Sequence, residues 1–310
     1  MRILRHVALP LSFFAMACSL NERPVVQPSV MAQLWEPPTD IAQRDLFWGS
    51  GGQKNAPDPD ELYEFKEEKA VGTQPGYDVE DSKGREWSVK LGPEARPEVA
   101  VSRLVWAAGY RQPSVYYLPR WTLVRDGKRI PQGGARFRLD DTKNLAEWSW
   151  RRNPFLHTQQ IAGLYVLMVM VNNWDVKSQQ NALYEYKAKA EFEGPRQQYM
   201  VKDLGASLGR SAWPVGGTKA DPIGFEEETF IERVEGNRVH FGYQGSWLEP
   251  QLVRSITPAD VRWISDLLAR LTPKQWNVAF RAAGFSQAEG ERYIRRMQEK
   301  IAEGRALGQF

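Results

Sequence analysis

Asp175, Lys177, Asn181 and Asp203 are the residues whose types and spacing bear most directly on chemistry. They stand in two short runs, Asn172-Asn173-Trp174-Asp175-Val176-Lys177-Ser178-Gln179-Gln180-Asn181 and Val201-Lys202-Asp203-Leu204-Gly205. Carboxylate and amide oxygens are the ligands a hard divalent cation takes, and ammonium groups neutralise phosphate oxygens. A further run, Gly205-Ala206-Ser207-Leu208-Gly209, has the form GxSxG of a hydrolase nucleophile elbow, with Asp221 and His240 following in the order Ser, Asp, His. The rare residues exclude much else. Cys18 is the one cysteine, so an intrachain disulfide or a thiolate metal cluster cannot form. His6, His157 and His240 are the three histidines, and neither HExxH nor GxxxxGK occurs.

The elements that must position these residues are legible in outline. Ile161 to Val171 (IAGLYVLMVMV) is an apolar run that predicts a buried helix and is too short to span a membrane. Residues 182–187 and 198–203 alternate as a strand pair around Gly194-Pro195, so Asp175 follows a helix and Asp203 closes a strand. Upstream, residues 61–92 read as a small antiparallel meander, and 95–110 as a helix with Pro97 in its first turn and Gly109 as its stop. Val115 to Leu118, Trp121 to Val124 and Gly133 to Leu139 are strand-like, with Asp126-Gly127 a tight hairpin turn. Thr257-Pro258-Ala259-Asp260, Thr272-Pro273-Lys274-Gln275 and Ser286-Gln287-Ala288-Glu289 are capping-box patterns that predict helices at about 258–270, 273–283 and 287–303.

A buried helix, a D-x-K…N loop, a hairpin and then Asp-x-Gly, in that order, resemble the protein-kinase-like superfamily, in the manner of its atypical HipA-type and spore-coat secretory members. The resemblance implies an α+β fold of two lobes, a small antiparallel β lobe and a mainly helical larger one. It also implies ATP and Mg²⁺ as cofactors and a nucleotide and a hydroxyl acceptor as partners. On that pattern Asp175 would orient or deprotonate the acceptor hydroxyl, Lys177 would neutralise the transferred phosphoryl group, and Asn181 and Asp203 would hold Mg²⁺. Lys90, in Ser88-Val89-Lys90, stands where the strand lysine would be, Glu98 where its ion-pair partner would be, and Gly72 to Gly76 where a phosphate-covering loop would be. In the standard loop the asparagine falls five residues after the aspartate; here Gln180 holds that place and Asn181 the next.

Each residue also has a plainer reading. Asp175 can cap a turn, Asp203 with Gly205 can form an Asx turn, and Lys177 can be a solvated surface residue. Lys90 can face outward from an alternating strand, and Glu98 can be a first-turn acid favoured by the helix dipole. The order of the elements favours the kinase-like reading. Within it two functions stay open, an ATP/Mg-dependent phosphotransferase and a catalytically inactive envelope binding or scaffold protein. A serine hydrolase at Ser207 is a lesser alternative, because the elbow needs a parallel sheet with strand–helix alternation, and few βαβ units are legible.

The remaining features concern location and size. Arg2 and Arg5 precede the apolar run Val7 to Ala17, which describes an export signal. Ala15-Met16-Ala17-Cys18 resembles a bacterial lipobox, so residues 1–18 are expected to be a signal peptide and Cys18 a lipidated anchor, placing the protein in the periplasm or on the cell surface with the membrane as a partner; an ordinary signal peptide or a buried N-terminal segment is the plainer reading. The Pro- and Gly-rich stretch 19–60 reads as a tether or an arm on the body, 61–139 as the small lobe and 140–310 as the larger lobe. The 310 residues allow a substantial core, and 41 Lys+Arg against 38 Asp+Glu leave no electrostatic footprint for nucleic acid.

Overall fold

Alternating side chains build the first half of the chain and capped amphipathic helices build the last quarter. A computed structural model describes residues 23–68, 74–212, 216–242 and 250–308. The leader, with Cys18 and His6, and Gly72 of the expected phosphate-covering turn lie outside the described residues. The chain has the α+β class expected of it, a β-sheet lobe followed by a helical lobe.

The chain enters through a short helix α1 (Pro28–Met31) and a series of 3-10 turns. The segment 23–60 is not a free tether. Leu34, Ile41 and Leu46 are buried in the core of the larger lobe, and Trp35 Nε1 donates to Ala108 O at 2.8 Å. Then follow β1 (Leu62–Glu68), β2 (Gly76–Glu80), β3 (Glu86–Lys90), α2 (Ala95–Ala107), β4 (Val115–Leu118), β5 (Trp121–Arg125), β6 (Lys128–Gln132) and β7 (Ala135–Leu139). The seven strands form one sheet in the order β4-β7-β3-β2-β1-β5-β6, with β1 and β5 parallel and the other neighbours antiparallel. Asp126 and Gly127 turn β5 into β6 with φ of 53° and 69°, the left-handed pair that a two-residue hairpin requires. Tyr63, Val79, Trp87, Val89, Trp121 and Phe137 fill this lobe's own core.

The chain leaves the sheet at residues 140–141. β8 (Thr142–Ala146), which no alternation in the sequence announces, adds to β9 (Asn181–Tyr186) and β10 (Gln197–Val201) in a second sheet ordered β10-β9-β8. Between them lies α3 (Gln159–Met170), capped by Thr158 and buried from Ile161 to Met170. Apolar residues on every face are what a wholly enclosed helix needs. β11 (Ser211–Ala212), β12 (Gly216–Gly217), α4 (Pro222–Glu227), β13 (Ile231–Glu235), β14 (Arg238–Phe241) and α5 (Pro250–Ser255) follow. The three expected tail helices are α6 (Pro258–Leu268), α7 (Pro273–Ala282) and α8 (Gln287–Ala306), each opened by a complete reciprocal capping box. Gln275 does two jobs: its Oε1 accepts from the Thr272 N–H at 3.0 Å, and its Nε2 donates to the carbonyls of Ile41 and Arg44 at 2.7 and 2.9 Å, fastening the entry arm. Among the described residues no helix is long and apolar enough to cross a membrane.

Candidate functional site in the cleft between the lobes

Lys90 is the last residue of β3, and antiparallel pairing sets it opposite Arg136 on β7. Its ammonium is largely buried and lies 2.8 Å from Glu98 Oε2, 3.0 Å from Asp203 Oδ1 and 3.1 Å from Glu94 Oε2. These partners come from three separate places: Glu98 from the first turn of α2, Glu94 from the residue before that helix, and Asp203 from the segment after β10. Glu98 is 2% exposed and holds Lys90 with one oxygen and Arg136 Nε, at 2.8 Å, with the other. Arg136 in turn donates to Ser88 O at 2.8 Å. Such a buried chain fixes every member, since removing any one leaves a charge uncompensated.

The electrostatics follow from this packing. Burial pulls the Lys90 ammonium down, but Glu98, Asp203 and Glu94 together outweigh it and hold the group above the ordinary lysine range. Burial pushes the Asp203 carboxyl up, and the Lys90 charge and hydrogen bond, the Gly205 N–H and Arg136 more than reverse this, so it lies below the usual carboxylate range. Both groups are therefore charged at neutral pH. Glu94 also pairs with Lys219, which sits over the Trp174 ring at 5.3 Å. Gly205 is required here, because a Cβ on it would stand 2.6 Å from Glu94 Cβ.

The second acidic segment is laced to the first. α3 ends at Met170, and two residues on, Asn172 has a φ of 53°, a left-handed conformation that Asn tolerates better than most residues. Trp174 N–H donates to Ala206 O at 3.1 Å, Leu208 N–H to Val171 O at 2.9 Å and Asn172 Nδ2 to Gly209 O at 2.8 Å. Lys202 N–H donates to Gln180 O at 2.8 Å. The loop carrying Asp175 and the stretch carrying Asp203 thus run side by side as one hydrogen-bonded unit. Asp175 Oδ1 pairs with Lys177 Nζ at 2.8 Å, and its Oδ2 accepts from Gln180 Nε2 at 2.9 Å.

A cavity of about 410 Å³ lies between the sheet lobe and this unit, walled by Lys90, Glu94, Arg136, Gln180, Lys202 and Asp203 among others. Of the residues singled out in the sequence, Lys90, Glu98 and Asp203 come together. Asp175 and Lys177 pair with each other and reach the cavity wall through Gln180. Asn181 does not join them. Its side chain is wholly buried, with Nδ2 on Trp148 O at 3.2 Å, because the 3-10 turn Ser178–Gln180 delivers Gln180 to the cleft and β9 then turns Asn181 to the other face of its sheet. Asn181, expected as a metal ligand, thus does not line the cavity, and Gln180, at the fifth place after Asp175, is the amide on its wall. Glu94, Arg136 and Lys219 were not distinguished by the sequence: long-range contacts place Arg136 and Lys219, and Glu94 is held by Lys90 four residues before it and by Lys219.

The donor set suits a hard cation only sparsely. Among the described residues no cluster of three His, Cys, Asp or Glu groups could enclose a metal. Asp203 and the amide oxygen of Gln180 share one cavity, and Mg²⁺ is commonly held by one or two protein oxygens with waters and substrate phosphates completing its shell. The residues present fit that mode of binding and do not fit an all-protein cage.

The hydrolase arrangement is not assembled. Ser207 is wholly buried in the laced segment, Asp221 caps α4 by accepting from Gly224 N–H at 3.1 Å, and His240 Nε2 faces Glu235 at 3.2 Å.

No family model matches the sequence, and no curated protein matches it significantly. Among solved structures, the backbone is similar to that of the Helicobacter pylori proinflammatory kinase CtkA, with a TM-score of 0.43 and 10% identity over 77% of this chain and 92% of that one. It is similar too to a crystal structure of the Golgi casein kinase, with a TM-score of 0.39 and 9% identity over 96% of this chain and 95% of that one. A structure of the Golgi casein kinase with Mn/ADP bound matches with a TM-score of 0.33 and 9% identity, over 82% of this chain and 74% of that one.

Proposed function

We propose that the chain is a kinase-like protein whose interlobe cleft takes nucleotide phosphates and a divalent cation and passes a phosphoryl group to a hydroxyl acceptor. One observation carries the reading: Lys90 bridges Glu98 of α2 and Asp203 of the segment after β10, so three separate elements converge on one ammonium at the cleft. Lys90 would neutralise phosphate oxygens, with Glu98 fixing its position. Asp203 and Gln180 would hold Mg²⁺, which supplies charge neutralisation to the phosphates when bound. Asp175 would accept the proton of the acceptor hydroxyl, whose oxygen bonds to the γ-phosphorus as the bond to the bridging oxygen breaks and the nucleoside diphosphate leaves. Lys177, paired with Asp175, would face the transferred group.

The test is thermal unfolding with Mg²⁺ and ATP. Ligand at 100 times its Kd is expected to stabilise the fold by about 2.7 kcal/mol. The second reading, a catalytically silent binding or scaffold protein, is favoured by Asn181, which turns into the protein and leaves the cleft with few metal ligands. Absence of any shift with ATP or GTP would select it.

We infer from the sequence that the protein is exported and held on a membrane through an acylated Cys18. Each buried CH₂ of an acyl chain contributes about 0.8 kcal/mol to membrane binding. Cys18→Ala is expected to move the protein from the membrane fraction to the soluble fraction, and unchanged fractionation would reject lipidation.

A further inference from the structure

The cleft has two ends of opposite character. Towards Lys90 its carboxylates and cations are mutually paired. Towards residues 140–141, where the chain crosses between lobes, Asp140 of the cavity wall pairs with Lys187 at 2.7 Å, and two cations, Arg138 and Lys202, lack such a contact. Arg138 follows Arg136 on the same face of β7 and sets its guanidinium against the Tyr184 hydroxyl at 3.1 Å, with no carboxylate at ion-pair distance among the described residues. Lys202 faces the same cavity, half-buried, and its Nζ has no hydrogen-bond or ion-pair partner among the described residues. Burial pulls the Arg138 guanidinium down and Tyr184, Glu98 and Asp140 more than reverse it, whereas burial holds the Lys202 ammonium below the ordinary lysine range, so two cations share one cavity with no carboxylate in contact among the described residues. The surroundings add little that would hold an uncharged ring: Val89, Pro75 and the Tyr184 ring are the apolar surfaces, and the other lining side chains are polar. Small-molecule sites that take uncharged ligands are mostly apolar.

We propose that this end of the cleft is an anion subsite, in which Arg138 and Lys202 grip a phosphate group of a small polyanionic ligand. The proposal rests on the cleft being the ligand site and goes beyond the phosphotransfer reading, since it does not need a metal. A ligand that presents an uncharged ring there leaves both cations unpaired; one that presents a phosphate pairs both. Guanidinium and ammonium groups bond phosphate oxygens through charge-assisted hydrogen bonds, the stronger kind.

The probe is inorganic tripolyphosphate without metal, measured by calorimetry on the full chain, with sulfate at matched ionic strength as the control. Wild type is expected to bind it, and Lys202→Gln to weaken binding about tenfold, as the loss of one hydrogen bond to a charged group implies. Lys202 makes no side-chain hydrogen bond among the described residues, so this variant tests the subsite without disturbing the lobe, and Arg138→Gln should show the same loss. Retained tripolyphosphate binding with no Mg-dependent response to ATP would support the subsite while ending the phosphotransferase reading. Wild type that ignores tripolyphosphate, or Lys202→Gln that binds it as wild type does, would overturn the proposal.

Discussion

Asp203→Asn is expected to lose metal-dependent nucleotide binding, whereas Asp175→Ala keeps binding and loses phosphate transfer by roughly 10²- to 10⁴-fold, the range for removing a general base. The two acids differ in what they touch. Asp203 faces Lys90 inside the cavity and would bear on the cation and the phosphates, so its charge matters before any chemistry occurs. Asp175 is not on the cavity wall but bonds to Gln180, which is, and would matter only when the acceptor loses its proton. Both variants should fold, because Lys90 keeps Glu98 and Glu94, and the hydrogen bonds lacing the two segments are mostly backbone. Asp203→Asn does have a stability cost with a definite pH dependence. The folded-state carboxyl lies below its unfolded value, so its contribution is present above the usual carboxylate range and is lost as pH falls through the folded value. The gap in unfolding temperature between wild type and Asp203→Asn should accordingly close in acid. Titration calorimetry with Mg²⁺ and ATP, with radiolabelled phosphate transfer, separates the two roles; variants that match wild type in both would reject this assignment of the site.

What was legible from residue types was what local rules govern. The meander, the buried helix and the three capping boxes follow from alternation, apolar continuity and reciprocal side-chain bonds within four residues. The Lys90–Glu98 pair was legible for a different reason: a lysine closing a strand and an acid opening the next helix are brought face to face by one short turn. Arg136 was not, because the β3–β7 register that pairs it with Lys90 joins residues 46 positions apart and leaves no local mark. Asn181 faces away from the cleft because a 3-10 turn precedes β9, and one step along a strand reverses the face a side chain takes, which spacing alone does not reveal. The GxSxG string was present in the sequence, but its serine lies in a segment hydrogen-bonded beneath the Asp175 loop, where no substrate can reach it. The arm 23–60 lacks any period; Trp35 and Trp48 suggest that parts of it dock, but nothing singles out Leu34, Ile41 and Leu46 as the residues that are buried.

Lys300→Met is expected to destabilise the fold by about 2–6 kcal/mol, since it leaves two buried acceptors unpaired at about 1–3 kcal/mol each while keeping the side chain's bulk. Lys300 lies on α8 and is wholly buried. It donates to Met170 O at 2.9 Å and to Asn172 Oδ1 at 2.7 Å, and rests 4.2 Å over the Phe225 ring. Its acceptors are the end of α3 and the left-handed residue that starts the Asp175 loop, so the last helix of the chain fastens the base of the candidate site. A cation at a helix C-terminus is favoured by the dipole, but burial, with Arg296 nearby, holds this ammonium well below the ordinary lysine range. A group depressed in the folded state contributes stability that is present above its unfolded value, near about 10.4 for lysine, and lost as pH falls through the folded value. The neutral amine keeps two N–H donors, enough for both hydrogen bonds. The stability gap between wild type and Lys300→Met should therefore widen as pH is raised from 7 towards about 10. Denaturant unfolding of both proteins at the two pH values measures it, and a gap that stays constant or narrows would show that Lys300 is buried as a fully charged latch. Phosphate transfer gives the second readout: with Asn172 released, the Asp175 loop loses its anchor, and transfer should fall even where Lys300→Met remains folded.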